Sequence, residues 1–394
     1  MGSRKFETTH PWITFEIDLR RLNHRIWLLL GEAMSKCSHI AGTALQPHFA
    51  ELLNSVYLSK GIHGTTAIEG NTLSEDEVRE RITSGLSLPK SREYLGREID
   101  NILSVSNDII GDVVNKPELD LSGERICDFN RRLLQGLPLK EGVVPGAIRE
   151  HSVTVGGYRG APAEDCAYLL DRLADWLNSL RAPDGSPELR FPIAVLKAIL
   201  AHLYIAWIHP FGDGNGRTAR LIELQLMIQA GAPVPAAHLL SDHYNRTRDA
   251  YYVELDRTSR ADGHPIEGFI EYALQGFVDE LREQIQTVRA QQYEVTWRDL
   301  VHDTFRDEDT PARVRQRHLV LDMEPGKWYT RNEIRSVSTR VAMEYAGKEA
   351  KTVSRDLNAL RQRDLIVNDG HQRYMANRGI IAAFMPPVAL VEDP

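Results

Sequence analysis

The sequence predicts a mainly α-helical protein that carries one short β-hairpin and ends in a winged-helix-like α+β module. Three observations support this fold class. Apolar residues recur at helical spacing over about 14–115 and 124–290, strand-like alternation is confined to 151–160, and a helix–helix–helix–strand–turn–strand order follows residue 313. We therefore expect an N-terminal helical region over 1–115, an all-helical core over 116–290, a linker over 291–312 and a winged-helix-like domain over 313–394.

Bulk composition narrows the class of protein. At 394 residues the chain exceeds what one core usually spans. Its formal net charge of -8 argues against nucleic-acid binding by the whole molecule. The three cysteines lack paired spacing, which suits a reducing cytoplasm and offers neither a disulfide framework nor a zinc site. No apolar run is expected to span a membrane, and the N-terminus lacks a signal-peptide pattern, so we expect a cytoplasmic protein without a membrane partner.

A hairpin is predicted within 151–160. Val153 and Val155 alternate with polar residues, and Gly156 and Gly157 form the turn. Such a hairpin can be a structural lid, or its main chain can pair with an extended segment of another protein. We favour the second interpretation.

The run 209–220, His-Pro-Phe-Gly-Asp-Gly-Asn-Gly-Arg-Thr-Ala-Arg, is the most specific pattern in the chain. It lies between an almost wholly apolar stretch, 191–208, and an amphipathic one, 221–230. This order predicts a loop between two helices. The glycines permit positive φ angles that aim successive N–H groups at one anion, and the second helix adds unpaired N–H donors at its N-terminus. Arg217 and Arg220 share a face of its first turn, and Asp213 suits a divalent cation bridging to phosphates. The loop therefore predicts a metal-bound nucleoside triphosphate.

The same run resembles the signature of the Fic (filamentation induced by cAMP) family, His-Pro-Phe-x-Asp/Glu-Gly-Asn-Gly-Arg-x-x-Arg, and meets every fixed position. The resemblance covers roughly residues 60–285. It implies a protein adenylyltransferase, in which a Ser, Thr or Tyr hydroxyl of a target protein attacks the α-phosphate of ATP and pyrophosphate leaves. A target that presents this hydroxyl on an extended segment is the implied partner.

The resemblance implies a role for each motif residue. His209 is the expected general base, because the pKa of a histidine near 6.5 leaves it able to accept a proton at cellular pH. Asp213 is expected to hold Mg²⁺ or Mn²⁺. The remaining motif residues are expected to bind the nucleotide: Gly214 and Gly216 through backbone donors, Asn215 at the α-phosphate, and Arg217 and Arg220 at the distal phosphates.

Two other elements resemble nucleotide contacts of the family. In the hairpin, a flap stretch is expected to lie over the nucleotide. Downstream lies the pair Tyr251 and Tyr252. Tyr251 is expected to contact the adenine or ribose, whereas Tyr252 is expected to pack in the core. A Pro-Gly-x-x-Arg element at 145–149 is expected to be structural. The expected nucleotide contacts are Val155, Gly156, Gly157, Tyr158 and Tyr251.

Residues 64–71 resemble the inhibitory motif of the family, Ser/Thr-x-x-x-Glu-Gly/Asn, with Thr65, Glu69 and Gly70 at its specified places. Glu69 can pair with Arg220, which would otherwise hold the γ-phosphate, and it adds negative charge where phosphate must sit. The resemblance implies inhibition by a helix that precedes the core in the same chain. In some relatives the equivalent glutamate activates water to remove AMP from a target, so de-AMPylation is the alternative activity.

The C-terminal module concentrates positive charge, with 14 Lys and Arg residues against 8 Asp and Glu over 313–378. Its predicted third helix carries Lys351, Arg355, Arg361 and Arg363, although Asp356 lies among them. The module can contact DNA or another protein, so a DNA-binding regulator with the Fic site as a nucleotide sensor is a further alternative.

Two other properties follow from the resemblance. A homodimer is common among relatives. A kinase-like phosphotransferase or a nucleotide hydrolase is a disfavoured alternative, because Arg220 is present.

Overall fold

The computed structural model describes residues 4–117, 119–182 and 185–382. The chain divides into two compact units, Met1–Ile285 and Gln286–Pro394. The described residues are mostly helical, with strands in one two-stranded hairpin and one three-stranded sheet. The predicted fold class is confirmed. The final part of the predicted C-terminal domain, 383–394, lies outside the described residues.

Five helices open the first unit. The fourth begins with a capping box, in which Ser74 and Glu77 each bond the backbone N–H of the other. The third has Pro47 at its first position, where the missing N–H costs no helical hydrogen bond. These helices are α1 (Lys5–Thr9), α2 (His24–Ala41), α3 (Pro47–Ala67), α4 (Glu75–Ser84) and α5 (Glu93–Asn115).

The centre of the first unit is a pair of packed helices, α8 (Arg190–Ile208) and α9 (Asn215–Gln229). Helix α8 is apolar on all sides, as expected of a helix that is enclosed by other elements. The hairpin pairs Thr154 with Arg159 and Val155 with Tyr158, as predicted. The remaining elements are α6 (Gly123–Leu133), β1 (Thr154–Val155), β2 (Tyr158–Arg159), α7 (Cys166–Ser179), α10 (Val234–Ala237), α11 (Leu239–Arg246), α12 (Arg248–Arg260) and α13 (Glu267–Thr304).

The segment Pro187–Ile208 is long and apolar enough to cross a membrane, judged by its 22 residues and its composition alone. The expectation that no apolar run reaches this length is therefore wrong. Within the protein, 83% of its most apolar stretch is buried. This burial is the environment of a core helix.

The second unit has the predicted order of a winged-helix-like module. Its sheet is antiparallel, with the strands in the order β3-β5-β4. Thr330 and Glu333 form a capping box at the start of α15. The structure differs in two details, because the second predicted helix is split in two and a short third strand joins the sheet. The elements are α14 (Pro311–Asp322), β3 (Tyr329–Thr330), α15 (Arg331–Ile334), α16 (Thr339–Tyr345), α17 (Ala350–Gln362), β4 (Ile366–Asn368) and β5 (Arg373–Ala376).

The predicted domain boundaries differ from the structure. Residues 291–312 are not a linker, because α13 continues to Thr304 and Trp297, Val301 and Phe305 lie in the core of the second unit. A helix that buries only one face is polar on its other faces, and this composition resembles that of a linker. The units divide between residues 285 and 286, and the predicted regions 1–115 and 116–290 form a single unit up to that point.

Candidate active site

The run 209–220 forms the predicted loop between α8 and α9. Helix α8 ends at Ile208, and His209 adopts the left-handed conformation with φ 50° and ψ 58°. Positive φ was expected of the loop glycines, but among them it occurs at Gly214 alone, with φ 75°. Left-handed backbone is uncommon for a residue with a side chain. Other groups must therefore stabilise His209.

Arg149 holds the backbone of His209. Its buried guanidinium donates from Nε to the His209 carbonyl at 2.7 Å, and from Nη1 to the His151 carbonyl at 2.6 Å. Nη2 donates to the Ala161 carbonyl at 2.5 Å. The rigid fork of donors in a guanidinium can join three carbonyls in this way. The 145–149 element therefore has a structural role, as expected: Arg149 positions the loop that carries His209.

The His209 imidazole is half-buried and lines a cavity. Burial, together with the positive charge of Arg149, lowers the pKa of His209 to about 4, although Glu69 and Asp213 act in the opposite direction. The ring is therefore neutral at neutral pH, and it can accept a proton from a group that enters the cavity.

The cavity has a volume of about 450 Å³, which is the size of a small-molecule site. Its lining combines apolar and aromatic side chains with the first turn of α9, whose N–H groups lack helical acceptors. The apolar part includes Ile68, Ala206 and Leu255, and the first turn contributes Asn215 and Gly216. A ligand with one aromatic and one anionic part fits this lining.

The hairpin borders the same cavity. Its predicted contact residues Val155, Gly156, Gly157 and Tyr158 all line it. The Tyr158 hydroxyl donates to the Trp207 carbonyl at 2.8 Å, which ties the second strand to the end of α8. Both residues of strand β1, Thr154 and Val155, are exposed. The structure thus brings the flap and the loop of His209 together.

Asn215 and Tyr252 differ in detail from expectation, whereas Tyr251 lies where a nucleotide contact was expected. The Asn215 amide bonds both the N–H and the carbonyl of Phe211, at 2.9 and 2.8 Å, so it stabilises the loop where a contact to the α-phosphate was expected. Tyr251 lines the cavity, and its hydroxyl bonds His202 Nε2 at 2.9 Å. Tyr252 lines the cavity as well and is 44% exposed, so the expectation that it packs in the core is wrong.

The Glu69 carboxylate is hydrogen-bonded to Arg220, the second arginine of the run 209–220. Arg220 Nη2 donates to Glu69 Oε1 at 2.6 Å and to the Thr65 carbonyl at 2.9 Å. A Cβ placed on Gly216 would lie 2.1 Å from Glu69 Oε1, so the lack of a side chain at Gly216 lets the carboxylate come this close to α9. Burial acts to raise the pKa of Glu69, but Arg220 and Arg217 outweigh it and lower that pKa. An ionised carboxylate therefore lies against the first turn of α9.

The end of α3 places Glu69 there. The helix stops at Ala67, and a turn through Gly70, with φ 101°, carries the chain away. Arg248 donates to the Ile68 carbonyl at 2.7 Å. Helix α3 also packs closely on α11, since a Cβ on Gly64 would lie 2.5 Å from the Ser241 carbonyl oxygen. The position of Glu69 thus depends on the packing of α3.

Arg217 is held by two carboxylates. Its Nη1 donates to Glu98 Oε1 at 2.5 Å, and its Nη2 donates to Asp213 Oδ1 at 2.8 Å. Glu98 also accepts from Asn71 Nδ2 at 2.8 Å, two residues after Glu69. Sequence reasoning missed Glu98. The available signal was an acidic residue on the apolar face of α5, which is 7% exposed and borders buried Leu95 and Ile99.

Asp213 retains one free carboxylate oxygen. Its Oδ1 accepts from Gly214 N–H and from Arg217, whereas Oδ2 has no hydrogen-bond partner among the described residues. Within the same described ranges, no group of three or more His, Cys, Asp or Glu side chains could hold a metal. A divalent cation at Asp213 would need oxygens from substrate and water, which is the usual coordination of Mg²⁺ beside phosphates.

Comparison with known proteins identifies similar chains. Residues 120–227 match the model of the Fic/DOC family. The chain is 31% identical over 258 residues to protein adenylyltransferase Fic of Drosophila virilis, covering 64% of this chain and 48% of that protein. It is 30% identical over 239 residues to protein adenylyltransferase fic-1 of Caenorhabditis briggsae, covering 58% and 43%. The chain thus spans a little under half the length of these relatives.

Two solved structures share the fold. A Fic family protein from Desulfovibrio desulfuricans G20 aligns with a TM-score of 0.54 at 19% identity, covering 90% of this chain and 96% of that chain. Fic-1 from C. elegans aligns with a TM-score of 0.53 at 23% identity, covering 67% and 73%. At these identities the likeness concerns the fold.

Proposed function

We propose that the chain is a protein adenylyltransferase that transfers AMP from ATP to a target hydroxyl, because residues 120–227 match the model of the Fic/DOC family. The observation that carries the proposal is one cavity in which His209 and the first turn of α9 share a wall. Attack on a phosphate needs an acceptor for the hydroxyl proton and donors for the phosphate oxygens. This wall supplies both.

In the proposed reaction, neutral His209 accepts the proton of the target hydroxyl as its oxygen attacks the α-phosphorus. The bond from that phosphorus to the bridging oxygen of pyrophosphate breaks, and AMP remains on the target. Backbone N–H groups of the first turn of α9, with Arg217 and Arg220, stabilise the charge that grows on pyrophosphate. Tyr251 and Tyr252 give the adenosine an aromatic surface.

Mg²⁺ or Mn²⁺ is the proposed cofactor. Asp213 would hold it through the carboxylate oxygen that has no partner among the described residues. The ion would supply positive charge beside the phosphates. Arg217, bonded to the other oxygen of Asp213, fixes the direction in which that free oxygen points.

We further propose that the enzyme is autoinhibited. The Glu69 carboxylate contacts Gly216 and Arg220, and both of these residues are expected to bind phosphate groups. Negative charge at this place repels a triphosphate and occupies the guanidinium that would receive its γ-phosphate. Release requires the end of α3 to move or Glu69 to change partner.

Removal of AMP from a modified target is the second candidate activity. It is favoured by one observation, that the Glu69 carboxylate and His209 line the same cavity. There Glu69 would accept a proton from water as the water oxygen attacks the phosphorus of an AMP-modified side chain. The bond from that phosphorus to the side-chain oxygen would break, the oxygen would regain a proton, and AMP would leave. Release of AMP from a modified target by the wild-type protein, but not by the Glu69→Gly variant, would support this activity.

The proposed macromolecular substrate is a target protein that presents its hydroxyl on an extended segment. Strand β1 pairs with β2 on one side, and its exposed residues Thr154 and Val155 leave main-chain groups open to a further strand. A homodimer and a cytoplasmic location remain predictions from the sequence. Light scattering and cell fractionation test them.

The decisive experiment is mass spectrometry after incubation with Mg-ATP. We expect the Glu69→Gly variant to gain about 329 Da on itself or on a target, the mass of one adenosine monophosphate residue. His209→Ala in that background should abolish the gain, whereas His39→Ala, at an exposed histidine of α2, should preserve it. Retention of the gain in the His209→Ala variant would contradict the proposed function.

A further inference from the structure

One face of α17 is formed by four exposed polar side chains. Lys351, Arg355, Asn358 and Gln362 are spaced by four, three and four residues, so they line one stripe of the helix. The opposite side packs into the core of the second unit through Val353, Asp356, Leu357 and Leu360. The stripe is the outward face of α17, the last helix of the winged-helix-like module.

The acidic residue in α17 does not weaken this stripe. Asp356 is 2% exposed and accepts hydrogen bonds from Arg315 at 2.7 Å, Gln316 at 2.8 Å and Tyr345 at 3.1 Å. Its charge is therefore neutralised inside the unit. The sequence alone placed Asp356 among the basic residues and made the helix look only modestly basic.

The stripe residues lack the ion-pair partners that several other basic residues of the unit have. Arg340 pairs with Asp322, Arg363 with Glu308, and Arg373 with Asp369. Within the described ranges up to residue 382, the side chains of the stripe make no hydrogen bond or ion pair. Their donors and acceptors are thus free to meet an external ligand.

We propose that this stripe binds duplex DNA in the major groove. Lys and Arg are the side chains that commonly bond guanine edges, and Asn and Gln those that bond adenine edges. In helix-turn-helix modules the recognition helix, which follows the turn and is the last helix of the motif, enters the major groove. The surplus of six positive charges over 313–378 attracts phosphates, although the whole chain has a net charge of -8.

A protein partner fits the stripe less well. The buried centre of a protein interface is depleted of charged residues and enriched in aromatic ones. The stripe has neither an aromatic nor an aliphatic residue among its four members. In the same unit, the turn between β4 and β5 exposes the polar residues His371 and Gln372, which could follow the sugar-phosphate backbone as a wing.

The test measures binding of the full chain to a fluorescein-labelled duplex of random sequence, about 30 base pairs long, by anisotropy over a salt series. We expect the Lys351→Ala/Arg355→Ala variant to lose about tenfold in affinity and to lower the salt slope by roughly two. The control is Arg306→Ala/Lys327→Ala, which removes the same charge from exposed residues paired with Asp303 and Glu324. It should change affinity less than about twofold.

Two further measurements test whether the stripe binds in the major groove. Sequences selected from a randomised duplex pool should share a preferred motif, and Asn358→Ala/Gln362→Ala should weaken that preference while keeping non-specific affinity. Equal affinity for single-stranded DNA, equal losses in both charge variants, or no binding that depends on salt would each overturn the proposal. Thermal unfolding should be nearly unchanged in all variants, because exposed side chains and surface ion pairs contribute little to stability.

Discussion

Arg220 donates to Glu69 at 2.6 Å, while its own Nε and Nη1 are buried with no hydrogen-bond partner among the described residues. A buried cation with unused donors is costly to stability and implies a ligand with more acceptor atoms than one carboxylate offers. A phosphate group has such atoms. In the proposed function Arg220 would bind the nucleotide, whereas in this structure the chain itself occupies part of its donor set.

Glu69→Gly is expected to raise AMP transfer by about 10–100-fold, because a charge-assisted hydrogen bond of ~1.5–3 kcal/mol no longer competes with the phosphate for Arg220. Incorporation of labelled AMP from ATP measures the change. Thr66, buried beside the motif, bonds only backbone carbonyls of its own helix, so Thr66→Ser should leave inhibition in place. Equal rates in the wild type and in Glu69→Gly would contradict the inhibitory role.

Glu98→Gln, introduced into the Glu69→Gly background, is expected to raise the KM for ATP about three- to tenfold, because Arg217 loses one of its two anchors. The kcat should change less, since Glu98 contacts no group that reacts. Glu93→Gln on the same helix removes an exposed carboxylate near Arg97 and should leave the KM unchanged. If kcat fell and KM did not, Glu98 would not be a positioning residue for nucleotide binding.

The pH dependence of activity follows from the pKa of His209, which burial lowers to about 4. The base is active when neutral, so kcat/KM should stay high as pH falls through 6.5 and drop only as pH approaches 4. The Glu69→Gly variant provides enough rate for the profile, and loss of that carboxylate lowers the pKa of His209 further. Circular dichroism at each pH must show folded protein. An acid limb centred near 6.5 would mean that His209 is solvated in the working enzyme.

Gly64→Ala is expected to lower the free energy of unfolding by ~1–3 kcal/mol, because its Cβ would lie 2.5 Å from the backbone oxygen of Ser241. Helix α3 must then move away from α11, and Glu69 at its end loses alignment with Arg220, so AMP transfer should rise. Chemical denaturation and labelled-AMP incorporation measure the two effects. Gly31→Ala in α2, where the new Cβ has open space, should preserve both properties.

Local patterns predicted the elements that carry chemistry. The spacing of glycines, His209 and the arginines indicated the loop, and alternation around Val155 indicated the flap. Each of these depends on residues close together in sequence. Glu98 could not be found in this way, because its contact with Arg217 joins positions 119 residues apart and an isolated acidic residue in a helix usually faces solvent.

The sequence-based predictions were also wrong about which side chains are buried. Asp356 and the stretch around Trp297 are polar in sequence, yet both contribute to the interior of the second unit. Tyr251 and Tyr252 are chemically alike, and only the direction of α12 decides which ring is buried. These choices depend on how helices pack, which a periodic pattern does not specify.

The hydrogen bonds of Arg149 to backbone carbonyls have a consequence for how loss of activity in variants of this protein would be interpreted. The unusual backbone at residue 209 is established when the chain folds, so neither nucleotide nor target has to create it. A substitution at Arg149 would therefore look, in a screen for activity, like damage to the chemical step. Its origin would instead be a misdirected imidazole, and substrate affinity would remain close to that of the intact protein.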